Sequence, residues 1–427
     1  MEYDTYPFFL GFPAAYYFAE ITQYIGSSTK YLKSLNKSRL SVSPVITTEK
    51  NYYLSGGYTM ADTPISSLTQ HISTISDPRR HNVRHMLHDM LMIAICAIIS
   101  GADSWTQVAE YGRSKQEWFS RFLALPSGIP SHDTFGRLFA MLDPKAFQDF
   151  FLAWINTLGQ SLDGKAVAID GKTLRRSHDR ADGKCAIHMI SAYATELGLV
   201  LGQLKTEAKS NEITAIPQLI ETLDLKGAIV TIDAMGCQKK IARCIIDAKA
   251  DYILQVKDNQ KNLHEDLQLL FDNPPAPVDH FQTIDADHGR IEIRRYATTD
   301  DIAWLQADHQ WAGIKSITMA CRQREVDGMI SNDKAYFISS LESDATKLAN
   351  AIRAHWSIEN KLHWCLDIAF REDDCRVRKG NASENLAILR HIAINLLKRE
   401  KTLKGGIQTK RLKAAWDHNY LLKVLAA

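Results

Sequence analysis

Read for its hydrophobic periodicity, the chain divides into a helical part, an alternating α/β part, and a β-rich stretch that gives way to helix again. From residue 64 to about 160 the apolar positions recur at helical spacing. Pro64 to Leu68 opens a first helix, which Asp77-Pro78-Arg79 ends. His88 to Ser100 is apolar nearly all round, which predicts a core helix. Ser104 to Leu123 is amphipathic, and Ser131 is placed to cap a further helix after the Gly/Pro turn Pro126 to Pro130. Two helices about such a turn read equally well as a DNA-reading helix-turn-helix and as a plain helical bundle.

From Lys165 the period shortens. Ala166 to Ile169 is a short apolar run that ends in Asp170-Gly171-Lys172, and His188 to Thr195 and Leu199 to Lys205 flank Glu196-Leu197-Gly198 as a hairpin. A helix near Thr214 to Leu223 leads to the buried strand Ala228 to Ile232, which ends in Asp233. The helix Lys239 to Ala248 then leads to Tyr252 to Val256, which ends in Lys257. Strands alternating with helices after a hairpin predict an α/β sheet of mixed direction. Between about 278 and 340 four strand-like runs follow one another as a β-rich insertion, and helices resume from Asp344 to about Lys398.

Within that last region Arg353 to Arg378 reads as helix with more functional groups than a helix needs. His355, Glu359, His363 and Asp367 recur every four residues, and Trp356 stands one turn before Glu359. Residues three and four apart share a helix face, so acid, imidazole and indole groups project together.

Composition narrows the reading without settling it. The length of 427 residues accommodates two or three domains, and 45% hydrophobic with 23% charged residues is ordinary for a globular protein. A net charge of +2 means that any nucleic-acid footprint is local. One basic stretch is Lys398 to Lys413, with seven Lys/Arg against Glu400; it reads as a solvated tail or as a phosphate-binding patch. Seven scattered cysteines without a CxxC pair fit a reduced, cytoplasmic protein with no zinc knuckle or disulfide framework. The longest apolar run, Leu91 to Ile99, is too short to span a bilayer, so no membrane partner is expected. Residues 1 to 59 hold nine of the fifteen tyrosines without a sustained period. They are either an aromatic-rich extension or sequence upstream of a natural start at Met60, and the onset of helical pattern after Met60 favours the second.

Asp170, Asp233 and Lys257 each follow a strand-like run, and ligands gather at the carboxyl ends of strands in open α/β sheets. One Asp in that position is usually a turn residue. Two, with a helical Glu359, form the oxygen set that holds hard divalent cations for phosphoryl transfer. A transition-metal site on His355, Glu359 and His363 is the weaker alternative, since no HExxH motif is present. Trp356 and Trp364 are either core residues or, beside a nucleic-acid site, stacking surfaces for an unpaired base.

The ordered motifs AVAIDGKTLRRS, VTIDAMGCQ, DYILQVKDNQ, AYFISSL and HWSIENKLHWCLDIAFREDD resemble the DDE transposases of bacterial insertion sequences. The nearest resemblance is to the group that includes the H-repeat-associated proteins. The helical segment from DPRRHNVRHMLHDM to SHDTFGRLF resembles that group's associated N-terminal domain, and the resemblance runs from about Ser66 to Lys398.

The resemblance implies an RNase-H-like catalytic domain over 161 to 399, with its β-rich insertion at about 278 to 340. An all-α candidate DNA-binding domain over 60 to 160 precedes it, and a basic tail over 400 to 427 follows. It further implies two Mg²⁺ (or Mn²⁺) ions on Asp170, Asp233 and Glu359. The implied partners are double-stranded DNA, as element ends and target, and a second copy of the chain when DNA is bound. The implied location is the bacterial cytoplasm, on the nucleoid when the protein is active. The Tyr-Arg-Glu-Lys signature of related enzymes is replaced here by Ile352, His355, Glu359 and Leu366. Lys257, Arg353, His355, Lys361 and Arg378 are therefore the candidates for phosphate contact or orientation, and Trp356 stands where relatives have a Trp near the cleavage site. Asn360 and Asp367 are candidate supports for Glu359. A nuclease without strand transfer and an inactive DNA-binding relic are the alternatives.

Overall fold

The computed structural model describes residues 65–81, 83–178, 183, 185–206, 212–273, 278–287 and 289–427. The aromatic-rich residues 1 to 59 lie outside them.

Helices dominate the first part: α1 Ile65–Ile72, α2 Leu87–Ile99, α3 Trp105–Ser114, α4 Gln116–Phe119, α5 His132–Met141 and α6 Pro144–Thr157. The single amphipathic helix expected over Ser104 to Leu123 is in fact two. Lys115, with φ −115° and ψ 14°, interrupts it, and the break turns Trp118 and Phe119 into the core. α2 is buried along almost its whole length, as its all-apolar sequence requires.

A nine-stranded mixed sheet follows: β1 Ala166–Thr173, β2 His188–Ala194, β3 Leu199–Thr206, β4 Ile229–Ile232, β5 Asp251–Val256, β6 Asp279–Asp287, β7 Arg290–Thr299, β8 Ser316–Val326 and β9 Met329–Ser339. Their order is β3-β2-β1-β4-β5-β9-β8-β7-β6. β1, β4 and β5 are parallel neighbours, and the other pairs are antiparallel. The β-rich stretch is thus no separate body. It is a meander that continues the mixed sheet past β5. The fully buried strand β4 is interior to the sheet, with both faces covered. α7 Glu212–Thr222 and α8 Lys239–Asp247 contribute Ile216, Leu219, Ile241 and Ile245 to the core that contains Val230 and Leu254. Ile229 and Ile253, from the alternate positions of β4 and β5, pack with Leu348, Ala349, Ala351 and Ile352.

After α9 Lys261–Asp272 and α10 Ala303–His309, the chain forms α11 Ala345–His355 and, beyond a π turn at Glu359–His363, α12 Trp364–Ala369. Helix does not reach Arg378: Arg371 adopts a left-handed φ of 48°, and the acids that follow turn toward Lys172 and Arg175. α13 Ala382–Arg399 is buried nearly all round and packs against α2, α5, α6 and β3. One hydrophobic core therefore runs from Leu68 to Leu425.

The expected basic tail is a correction. Residues 407 to 425 form α14 Ile407–Trp416 and α15 His418–Leu425, and Lys410 and Arg411 are buried. The physical reason is local. Lys410 donates to the carbonyls of Leu397 and Glu400, and Arg411 to those of Ile98, Ala102 and Ala369, so these cations cap helix ends.

Candidate active site

β1 and β4 run parallel, with Ile169 opposite Ile232, so Asp170, still within β1, and Asp233, just past the end of β4, stand at neighbouring register positions. Adjacent strands are spaced by about 4.8 Å, which brings the two backbones to neighbouring positions. Asp170 Oδ1 accepts the Gly171 amide at 2.8 Å. A side chain at Gly171 would force its neighbours to shift, because a Cβ there would come within 2.5 Å of His188 Nε2 and 2.8 Å of Glu212 Oε1, a buried pair that closes under the strand. Asp233 caps the short 3₁₀ turn Ala234–Gly236 by accepting the Met235 amide at 3.1 Å.

Glu359 arrives from the π turn. Ile358, Leu362 and Leu366 are buried, which pins the helix and directs Glu359 and His363 toward β1. His363 Nδ1 lies 3.6 Å from Asp170 Oδ2 and 3.5 Å from Glu359 Oε2. Donor atoms of Asp170, Glu359 and His363 all fall within 4.8 Å of one another; Asp233 is not in that set. π turns of this kind often mark functional sites.

Electrostatics set this cluster apart. Burial pushes the Asp170 carboxyl up to about 7, and the charges of Glu359 and Asp233 add to the shift against the pull of His363 and the Gly171 amide. His363 holds the Glu359 carboxyl below its ordinary value. Burial lowers the pKa of His355, whose Nδ1 lies 3.0 Å from the Thr231 hydroxyl.

The residues expected around the triad are dispersed. Arg353 is paired with Asp285 of β6 at 2.7 Å. Arg378 donates to the Arg176 carbonyl at 2.9 Å. Asp367 accepts Lys172 Nζ at 2.7 Å rather than touching Glu359. Lys257, Asn360 and Lys361 are exposed, and so are Trp356 (61%) and Trp364 (60%).

The pattern reading did not anticipate Lys172. Its ammonium meets Asp367 (2.7 Å), Glu372 (3.1 Å) and Asp373 (3.2 Å), Glu372 also meets Arg390 (3.2 Å), and Arg175 meets Asp373 (3.1 Å). This network stitches the segment after Asp170 to the segment after the Glu359 helix. The only trace in the sequence is that the basic GKTLRR and the acidic REDD are complementary.

The donor chemistry fits a divalent cation. Donors about 2.1 Å from one ion stand about 3.0 Å apart at right angles and about 3.4 Å apart at tetrahedral angles, close to the distances from His363 to the two carboxylates. The imidazole makes this set softer than the all-oxygen shell that Mg²⁺ prefers.

Two aspartates at neighbouring register positions of adjacent parallel strands, with Glu359 and His363 against the first, make an acidic cluster on a mixed α/β sheet. The sequence matches the family described as "Transposase DDE domain" over residues 161–396 and the one described as "DDE_Tnp_1-associated" over residues 69–155. The chain belongs to the DDE transposases, in the group that includes the H-repeat-associated transposases. It is 43% identical over 374 residues to "Putative transposase YncI" of Escherichia coli O157:H7, covering 85% of this chain and 95% of the relative. It is 42% identical over 373 residues to "H repeat-associated putative transposase YhhI" of Escherichia coli (strain K12), covering 85% and 98%. A piggyBac transposase synaptic complex with hairpin DNA aligns with a TM-score of 0.40 at 11% identity, over 83% of this chain and 76% of that chain.

Proposed function

We propose that the chain cleaves phosphodiesters at the ends of an insertion sequence and joins the freed 3′ ends to target DNA in a metal-dependent reaction. The observation that carries this reading is the register of β1 and β4, with Ile169 opposite Ile232, which puts Asp170 and Asp233 at neighbouring positions, with Glu359 against Asp170. The order β3-β2-β1-β4-β5, in which β2 alone runs against the other four, supports an RNase-H-like catalytic fold.

Asp170, Asp233 and Glu359 would hold the two Mg²⁺ or Mn²⁺ ions, with His363 as a further donor beside Asp170 and Glu359. Ions bound there activate the attacking oxygen and stabilise the leaving one. The rest is the work of the chain itself. β1 and β4 fix the spacing of the aspartates, and His363 keeps Glu359 ionised. Trp356 offers an exposed face on which an unpaired base stacks. Lys257 and Lys361 are free to meet phosphates, and Arg353 joins them on leaving Asp285. Asn360 sits at the surface beside Glu359, and Asp367 supports the site through Lys172. Duplex DNA, a second copy of the chain on that DNA, and a cytoplasmic site of action complete the reading. No helix among the described residues is long and apolar enough to cross a membrane.

The test is cleavage and joining of a duplex carrying the element's end, with and without Mg²⁺, for wild type and Asp233→Ala. Loss of both reactions in the variant supports the reading. Cleavage without joining in the wild type marks a nuclease, binding without any chemistry marks a relic, and full activity of the variant removes Asp233 from the site.

A further inference from the structure

A groove of about 880 Å³ opens on the helical part, between the segment that precedes α2 and the outer side of α5. Its lining includes Arg79, Arg80, Arg84 and Arg137 with His81 and His85, and no carboxylate. Four guanidinium groups on one concavity repel one another unless anions sit among them. Arg79 has an internal anion, Asp77 at 2.6 Å, and also donates to the His85 carbonyl at 2.8 Å, so it shapes the wall. Among the described residues no carboxylate pairs with Arg80, Arg84 or Arg137. Arg137 reaches only the Thr134 hydroxyl, at 3.4 Å, and all three arginines are exposed. The first turn of α5, capped by Ser131, also faces the groove through Ser131 and Thr134, while the Asp133 of that turn is not among the lining residues. In a chain whose net charge is only +2, this is a concentrated site of positive potential.

The groove is also held in register with the catalytic part. α5 buries Phe135, Leu138 and Phe139, and Trp105 stacks on Phe139 at 4.6 Å. Its far end is tied to the start of α13: the Asn381 amide donates to the Ala140 carbonyl at 3.1 Å, and Asn385 Nδ2 donates to the carbonyls of Phe139 and Leu142 at 2.9 Å. α13 is the next long helix after the one that bears Glu359.

We infer that this groove grips the sugar-phosphate backbone of duplex DNA flanking the scissile bond, with Arg80, Arg84 and Arg137 on phosphates; the inference rests on the transposase reading above. Guanidinium forks suit phosphate oxygens, and contacts of this kind position DNA without reading its sequence.

The test is binding of the full chain to a labelled duplex of arbitrary sequence across a salt series. Wild type is compared with the triple variant Arg80→Ala, Arg84→Ala, Arg137→Ala. The log–log salt slope should become shallower by roughly 0.9 for each phosphate that the variant no longer neutralises, and affinity at moderate salt should fall by about tenfold or more. The matching triple lysine variant should restore most of the slope, because each position keeps its charge. Arg84→Glu alone, at one exposed position, should repeat the loss if the triple variant folds poorly. An alanine variant with wild-type affinity and slope overturns the inference while leaving cleavage by the wild type, and so the transposase reading, intact. Loss of binding to a polyglutamate peptide with DNA affinity retained also overturns it, and makes the groove a site for an acidic protein segment. A wild type that binds no duplex sinks both.

Discussion

Asp170 and Lys172 stand two residues apart on the same face of β1, and their surroundings are opposite in kind. Around Lys172 the charges close on themselves. Burial disfavours its charged form, but Glu372, Asp367 and Asp373 outweigh burial and raise its pKa. Glu372 is buried too, and Arg390 and Lys172 overcome that burial to hold its carboxyl below the usual value. Around Asp170 burial prevails, and the neighbouring acids make the charge harder still to hold. The protein has completed one network with its own cations. The other it has left short of them.

The sharpest way to break this contrast is to open the closed network. Glu372→Ala leaves Arg390 and Lys172 without their shared anion, and the fold should lose about 3–5 kcal/mol, read by urea unfolding. A loss well under 1 kcal/mol would mean that water, rather than Glu372, satisfies those cations.

A smaller effect probes the ground beneath both clusters. Burial pushes His391 down to about 4, against the opposing pull of Glu372. Its pKa is lower in the folded than in the unfolded chain, so this contribution to stability is complete above about 6.5. It is lost as pH falls from there toward 4, for a total of about 3 kcal/mol. Unfolding measured across that range should show the decline, and His391→Gln should flatten it.

The smallest change in the metal-free protein is expected at the open cluster. Asp170→Asn removes a carboxylate that its neighbours disfavour, so the metal-free variant should be as stable as wild type or up to about 1 kcal/mol more so. Wild type should gain about 2.7 kcal/mol from Mn²⁺ at a hundred times its dissociation constant, and the variant should gain none. Thermal melts with and without Mn²⁺ separate the two, and an equal gain in the variant would falsify the placement of the ion at Asp170.

How much of this was legible in the sequence depends on how local each signal is. Ala166 to Ile169 and Ala228 to Ile232 declare strands, because an apolar run is a short-range fact, but the stop expected at Asp170 is not found: pairing with β2 carries β1 on to Thr173. The nearness of Glu359 to His363 was legible from their shared helix face. His363 was visible in the same four-residue pattern, but its closeness to Asp170 depends on the π turn, which apolar spacing does not reveal. The partners of Lys172 lie on the far side of the catalytic sheet in sequence, and no periodicity links them. The burial of Lys410 and Arg411 escaped notice for another reason: most of their partners are backbone carbonyls, which every residue has.

Arg411 bears on how the protein is made. Its guanidinium gathers the carbonyls of Ile98, Ala102 and Ala369 and lies 4.2 Å over the Phe370 ring. It thereby joins the end of a helix synthesised early to the end of the helix that bears Glu359. During translation, Arg411 emerges from the ribosome after Asp170, Asp233 and Glu359. Until it docks, those carbonyls have no cation to cap them, and the Glu359 helix ends unsupported. A copy of the gene frameshifted just upstream of Arg411 would still encode all three acidic residues, yet its product would lack the part that locks the last of them in place.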